Sequence, residues 1–324
     1  MLKKYFSFAL IVLLSNIATA QQFIGLNATN YPTIQQMPYN PAWVNTSESG
    51  TEFHVFSFSA LAGSNAFRFD KSYLLGAGSG HAKENVDYER NWTRKVKHMW
   101  ANADILGPAI SFTYKKEHHI GIYTRMREIV RGGNIASSEL QLISDTPRND
   151  KMTYPQLEFN HAGFSTQTFG EIGITYGQVL MNDEFRIMRA GVTLKYLLGF
   201  NAASLYTDHL AYQRKNKDTL GTITGDITAL YTYNADPYLK GNIGNQLSSW
   251  LDRGGRGGLG LDLGFQYEYH PTGNPNEETP YQYSIAVSIT DIGSVKYIAD
   301  TGSAKYTAQL SSKANNVLGR GDNE

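Results

Sequence analysis

The sequence has 324 residues with 29 basic and 29 acidic side chains and no cysteine, which excludes disulfides, thiolate chemistry and cysteine metal sites. A formal charge of zero offers no overall field for nucleic acid, so no nucleic-acid partner is expected. Abundant glycine (31) and tyrosine (21) in a chain this long suit one β-rich domain, held by a sizeable core or by a closed sheet.

Met1–Ala20 reads as a secretory signal. Lys3 and Lys4 supply the positive start, Phe6 to Leu14 the apolar run, and Ala18-Thr19-Ala20 the small-residue cleavage site. That apolar run is too short for a spanning helix, which needs about 20 residues. The mature chain is expected to start at Gln21, with no cysteine there to carry a lipid anchor. Gln21–Ser49 holds Tyr31-Pro32 and Asn40-Pro41-Ala42-Trp43, whose prolines forbid a regular strand, so 21–49 is expected to be a non-strand lead-in.

Phe53–Ala60 is a plausible first strand, with Phe67 and Phe69 on its partner. In Asp87–Ile105, the residues Trp92, Val96, Met99, Trp100 and Ala103 fall at helical spacing between basic residues, which predicts a short amphipathic helix. Ile110, Phe112 and Tyr114 then alternate with polar residues. The pattern resumes at Ile120 and Ile122 after Lys116-Glu117-His118, forming a tight hairpin. Arg127–Phe169 is less regular and is expected to hold a long loop with one or two strands.

A second hairpin joins Ile172, Ile174 and Tyr176 to Ala190, Val192, Leu194, Tyr196 and Leu198 around Asn182-Asp183. Leu205–Tyr212 and Ile223–Tyr233 are weaker strand candidates. Asp236–Arg256 suggests another short helix through Ile243, Leu247, Trp250 and Leu251.

The clearest pattern lies in Gly257–Thr290. Leu259, Leu261, Leu263, Phe265, Tyr267 and Tyr269 alternate with Gly260, Asp262, Gly264, Gln266 and Glu268, and Tyr281 to Thr290 alternates likewise. Successive side chains of a strand point to opposite faces, so each arm has one greasy and one small or polar face. Arms of about 10 residues with aromatic ends match strands that cross a bilayer at a tilt. The three prolines of His270–Pro280 make the connection. Asp291-Ile292-Gly293-Ser294 reads as a turn, Val295–Ile298 as the start of another strand, and 303–324 as a polar tail. Short turns alternate with long excursions, as in membrane barrels.

These stretches together resemble a family of uncharacterised outer-membrane proteins of the Bacteroidota (domain of unknown function 5723 type). The resemblance is carried by Asn40-Pro41-Ala42, Leu106-Gly107-Pro108, Glu171–Leu180, Gly191–Phe200, Gly258–Tyr269 and Ser288–Tyr297. An Asn-Pro-Ala near the start is also similar to fatty-acid-transporter-like barrels and to barrel components of the type IX secretion system. The resemblance implies an outer-membrane β-barrel and brings no established activity or functional residues. Such barrels usually end on an aromatic strand residue, whereas this sequence ends Asp322-Asn323-Glu324, so its own strands are not expected to close the barrel.

No catalytic, cofactor-binding or metal-binding set stands out, and no cofactor is expected. His118-His119 is a turn pair without a third ligand. Asp208-His209 near Ser204 has the residue types of a hydrolytic triad but no recognisable nucleophile turn. Gly254–Gly260 lacks the lysine and helix of a phosphate loop. Lys195, Asp262 and Glu268 fall on the polar faces of strands, where a barrel turns them to its lumen to set ion preference or to pair.

The expected protein is therefore an all-β, antiparallel transmembrane barrel of roughly 10 to 14 strands. It is expected to be non-enzymatic and exported to the outer membrane, with lipid and secretion or surface proteins as partners. A structural, docking or gated role stands beside a transporter for small hydrophobic molecules. A secreted β-sandwich, with its greasy faces turned inward, is the rival from another class.

Overall fold

The computed structural model describes residues 33–44, 50–69, 88–91, 96–115, 117–144, 156–214, 220–232, 257–272, 281–310 and 318–320. The predicted signal Met1–Ala20 and the predicted helix within 236–256 lie outside them.

Two 3-10 turns, Ile34–Gln36 and Pro41–Trp43, precede the strands. The first strands are Thr51–His54 (β1), Ser57–Ser64 (β2), Phe67–Phe69 (β3) and Tyr88–Arg90 (β4). Two 19-residue strands, Val96–Tyr114 (β5) and His118–Ala136 (β6), run into the helix Ser137–Ser144 (α1). Leu157–Asn160 (β7), Gly163–Asn182 (β8), Arg186–Tyr206 (β9), His209–Arg214 (β10) and Leu220–Tyr231 (β11) follow. Gly257–Tyr269 (β12), Tyr283–Gly293 (β13), Ala304–Leu310 (β14) and Leu318–Arg320 (β15) complete the described strands.

Thirteen of these strands form one antiparallel sheet, and β3–β4 is a separate pair. Its centre runs β5-β6-β8-β9, with β1 and β2 both on the outer edge of β5. Past β9 the sheet forks, because β12 takes the Arg186–Leu198 half of β9 and β11 takes Ala203–Tyr206. The predicted hairpins are present as β5–β6, β8–β9 and β12–β13. Among the described residues, β1, β2 and β13 each keep one unpaired edge, so the ladder does not close on itself.

The sheet is inside out relative to a water-soluble domain. On one face Asp262, Thr175 and Thr193 are fully buried, with Lys195, Glu171 and Gln266 nearly so. On the other, Leu259 is 76% exposed and Leu194 65%, among exposed Ile174, Phe112, Ile285 and Val287. We call the first the inner face, since the N-terminal segment lies on it.

Ion pairing shows how strongly the sheet curls. Arg127 of β6 meets Asp291 of β13 at 2.9 Å, although β8, β9 and β12 lie between those strands. Four strand spacings of about 4.8 Å in a flat sheet separate the two backbones by about 19 Å. Arginine and aspartate side chains together do not span that, so the strands wrap around the inner face.

The Thr33–Val44 segment is tied to the wall at both ends. At one end the Ile34 amide donates to Glu52 Oε2 at 2.9 Å, and Gln35 meets His54 at 3.2 Å. At the other, Asn40 Nδ2 donates to the Phe265 carbonyl of β12 at 3.4 Å, while its Oδ1 caps the second turn by accepting from the Ala42 amide at 3.0 Å, with Pro41 at the first position of the turn. This turn rests on three glycines that stand side by side across the sheet, Gly177, Gly191 and Gly264. A β-carbon at Gly191 would collide with the Pro41 carbonyl and the Ala42 amide, and one at Gly264 with Asn40 Oδ1 and Pro41. Asn-Pro-Ala and the glycine row are therefore two sides of one fit.

Four expectations are corrected. The helix predicted within Asp87–Ile105 is absent from its described part. Val96, Met99, Trp100 and Ala103 belong to β5, laddered to β2 and β6. A spacing of four falls on one face in a strand as well as in a helix, so Val96 and Trp100 did not discriminate, and sheet pairing on both edges decides. The turn expected at Asp291–Ser294 is instead a bulged strand end, with Asp291 at a φ of 62° and a register shift opposite Leu261 and Leu263. Val295–Ile298 joins no ladder. It crosses the inner face over Gly258 and Gly199 before Ala299 bridges Thr232. Further, the predicted polar tail contains β14, paired to β11.

The glycine fit is testable. Gly191→Ala sets a methyl against backbone that cannot rotate away, and overpacking of this kind costs about 1–3 kcal/mol. The purified variant should unfold at a lower temperature and be cut within residues 33–44 by a protease that spares the parent. Parental stability and cleavage would show that the turn does not need the glycine.

Candidate functional site

The strand period places a polar residue on the inner face at every second position, and one level of this face carries a belt of charge. Asp104 on β5 accepts from Arg125 on β6 through both carboxylate oxygens, and Tyr39 of the N-terminal segment donates to Asp104 Oδ2 at 2.9 Å. Arg125 Nη2 also donates to the Tyr39 hydroxyl at 3.2 Å, with the guanidinium over the Tyr39 ring at 4.8 Å. Burial pushes the Tyr39 phenol well above its ordinary value, so it remains a protonated donor at neutral pH.

The belt continues through Glu171 on β8, 3.8 Å from Arg125 and 3.1 Å from Arg127. Arg127 reaches Asp291, Asp291 accepts from Lys195 on β9 at 2.6 Å, and Lys195 pairs with Asp262 on β12 at 2.8 Å. The bulge of β13 turns Asp291 inward, where its amide donates to Asp262 Oδ1 at 2.7 Å. Four carboxylates thus alternate with three cations along a connected chain from β5 to β13. A second, smaller cluster sits nearer the short turns, where Arg189 donates to Glu268 at 2.9 Å and to Gln266 at 3.2 Å.

Of the three residues singled out from the sequence, Lys195 and Asp262 are fully buried and bonded to each other, whereas Glu268 belongs to the Arg189 cluster. Asp104, Arg125, Arg127, Glu171 and Asp291 were missed. Asp104 sat in a stretch read as a helix, Arg127 in one read as irregular chain and Asp291 in a turn, while Arg125 and Glu171 lay beside or within predicted strands. The alternation of Tyr123, Arg125 and Arg127 on one side of Thr124 and Met126 was the signal available. The residues with hydrolytic-triad character do not assemble: His209 bonds Asn160 at 2.7 Å, while Asp208 lies 3.5 Å from Lys305. His118 and His119 turn to different partners, Tyr176 and Thr113. No group of metal-ligating residues is found among the described residues.

An all-β antiparallel protein with a curled, inside-out sheet and an ionically cross-linked inner face is the class these features define. The chain belongs to a family of unknown function, DUF5723, whose model matches residues 41–321. The matched region opens on Pro41, within the turn that the glycine row receives. No curated protein and no solved structure matches the chain.

Breaking the belt should be costly. Lys195→Met leaves Asp262 buried beside Asp291 with no cation between them, and removing one partner of a buried pair costs about 3–5 kcal/mol. Combining it with Asp262→Leu should recover part of that loss. Thermal unfolding of the single and double variants checks this, and equal stability of Lys195→Met and parent would remove the belt's structural role.

Proposed function

We propose that this protein is a non-enzymatic outer-membrane component, its curled sheet forming barrel wall in lipid and its N-terminal segment keeping the interior shut. The observation that carries the reading is polarity. A wall with buried Asp262, Thr175 and Lys195 and exposed Leu259, Leu194 and Ile289 is stable where the outer solvent is apolar. A secreted sandwich needs the opposite arrangement, with greasy faces packed on each other.

Dimensions support the same reading. The outward row Leu259 to Tyr269 on β12 covers about 33 Å of strand, or about 25 Å of height at a tilt of ~40°. Exposed Tyr114, Tyr176 and Tyr283 lie near the end of the short connections after Tyr114 and Asn182, and Tyr269 stacks on Tyr283 at 5.3 Å. Aromatic girdles mark that level of a membrane barrel. No helix among the described residues is long and apolar enough to cross a membrane, so strands would have to do so.

Inside such a wall the belt and the Asn40–Trp43 turn fill the inner face between β5 and β12. That favours a plugged, gated or docking component, with secretion or surface proteins as its partners, over an open channel for small hydrophobic molecules. The Tyr39–Asp104 and Asn40–Phe265 bonds hold the plug.

Fractionation of cells producing the native chain, with gel mobility compared before and after boiling, tests the location. The protein should sediment with the outer membrane and migrate differently unheated; a soluble, unshifted band would hand the case to the secreted sandwich. Leu263→Arg, near the middle of the outward β12 row, adds a test of the outer solvent. An exposed arginine is nearly neutral in water but costs about 2–4 kcal/mol at a bilayer midplane. A drop of that size in unfolding free energy, measured in lipid, is expected.

The plug has its own test in planar bilayers. Tyr39→Phe combined with Asn40→Ala should raise ionic conductance several-fold over the parent. If both stay equally silent, the segment is not what blocks the path.

A further inference from the structure

Beyond the belt the inner face continues toward the long connections in two further rows, which the registers of the sheet define. In the outer row Gly63, Trp100, Arg131, Ser165, Ser204 and Leu230 stand side by side from β2 to β11. Asn102, Ile129, Gln167 and Ala202 form the row between these residues and the belt. Both rows share the face of Asp104 and Arg127, because β5 keeps its register from His98 to Leu106 and β6 from His118 to Gly133. From β6 to β11 the rows enclose a half-open cavity of ≈ 530 Å³, roofed by Tyr297, Ala299 and Ser303 of the crossing segment.

That roof is fixed in place. Ala299 bridges Thr232, the Asp300 amide donates to the Tyr231 carbonyl at 2.8 Å, and the Ser303 hydroxyl donates to that same carbonyl at 2.9 Å. The cavity is therefore preformed, and its volume falls within the roughly 300–1,000 Å³ of small-molecule sites.

The chemistry of these rows differs from that of the belt and of the outer wall. They hold no carboxylate and one exposed cation, among the amides of Asn102 and Gln167 and the hydroxyls of Ser165 and Ser204. None of these four neutral residues is buried, so all can meet a molecule that enters from the long-connection side. Trp100 is the exception to the pattern. Exposed large apolar side chains of this sheet gather on the other face, as Ile174, Leu194 and Ile285 do, yet Trp100 is 38% exposed on the polar one. Its indole rests against Gly63, where a β-carbon would collide with the ring. The glycine makes room for an aromatic group that reaches into a wet cup instead of a core.

We propose that this vestibule binds a soluble neutral saccharide, stacked on Trp100 and hydrogen-bonded by Asn102, Gln167, Ser165 and Ser204. A sugar ring has a face of C–H groups, whose partial positive charge suits the negative face of an indole, and a rim of hydroxyls. Each amide offers both a donor and an acceptor to that rim, and each serine hydroxyl does the same. Trp100 and Gln167 stand two strand spacings apart, about 10 Å, which a disaccharide spans. A polyanion is disfavoured by the single cation, and a wholly apolar molecule by the amide and serine rows. A glycolipid is disfavoured because its tails belong at the outer face, whereas the vestibule lies inside the curl. The rows are the same whether the outer face meets lipid or protein, so this site goes beyond the plugged-wall reading and does not depend on it.

The test uses the purified full chain, in lipid nanodiscs if fractionation finds it in the membrane and in buffer if not, so the two readings fail separately. The probes are maltose, cellobiose and chitobiose, neutral disaccharides that differ in linkage and substituent, followed by saturation-transfer NMR. At least one should bind saturably, with the strongest transfer to its ring C–H protons. Trp100→Ala should weaken that binding about tenfold and Gln167→Leu several-fold, on the scale of a lost ring contact and a lost neutral hydrogen bond. Trp100→Phe should keep most of the affinity, and all three variants should unfold at the parental temperature. Absence of saturable binding by all three sugars, or equal binding by Trp100→Ala and the parent, would overturn the proposal. So would saturable binding of uncharged 1-naphthol that no disaccharide displaces, which would mark the vestibule as an apolar site.

Discussion

The chain of ion pairs from Asp104 to Asp262 is the interaction on which the rest of this structure depends. A sheet with a polar face has no hydrophobic reason to curl toward that face. Here curling is driven by charges that are satisfied only if distant strands approach, as Arg127 on β6 and Asp291 on β13 do. Each carboxylate of the belt has a cation beside it, so the burial cost of one charge is offset by its neighbours. On the opposite face the same strands expose large apolar residues such as Ile174, Leu194 and Leu263, which gain nothing from facing inward.

The N-terminal segment completes this arrangement and does not merely occupy space. Tyr39 adds a neutral donor to the carboxylate that Arg125 already holds, and Asn40-Pro41-Ala42 supplies a turn shallow enough to sit on backbone. The glycine row is what makes the approach possible, since any side chain at Gly191 would occupy the space of the Pro41 peptide. Electrostatics and sterics thus act on adjacent stretches of one segment. Covered in this way at its short-turn half, the inner face leaves its free volume at the other half, under the crossing segment that Tyr231 and Ser303 pin down.

Membership of a family of unknown function brings no activity with it, and fold alone does not supply one. What the structure contributes is a division of labour among residues that look alike in the sequence. Arg125, Arg127 and Arg131 occupy successive inward positions of one strand. The first two hold the wall together, and the third is exposed and meets no carboxylate among the described residues.

Much of the fold was legible in the sequence, because strand polarity is a local property. The alternation in Ile110–Tyr114, Ile172–Tyr176, Ala190–Leu198 and Leu259–Tyr269 was enough to define three hairpins, their two faces and the placement of Lys195, Asp262 and Glu268 on the polar side. Local pattern failed where two periods coincide, as at Val96 and Trp100, and where a bulge reverses a side chain, as at Asp291. It also could not say which way the polar face turns, since a sandwich and a curled wall share the same alternation. Only tertiary structure decided that, by bringing charges from six strands to one level and laying Pro41 across three glycines. Those contacts join residues up to 225 positions apart, as between Asn40 and Phe265, and no local pattern encodes a distance of that kind.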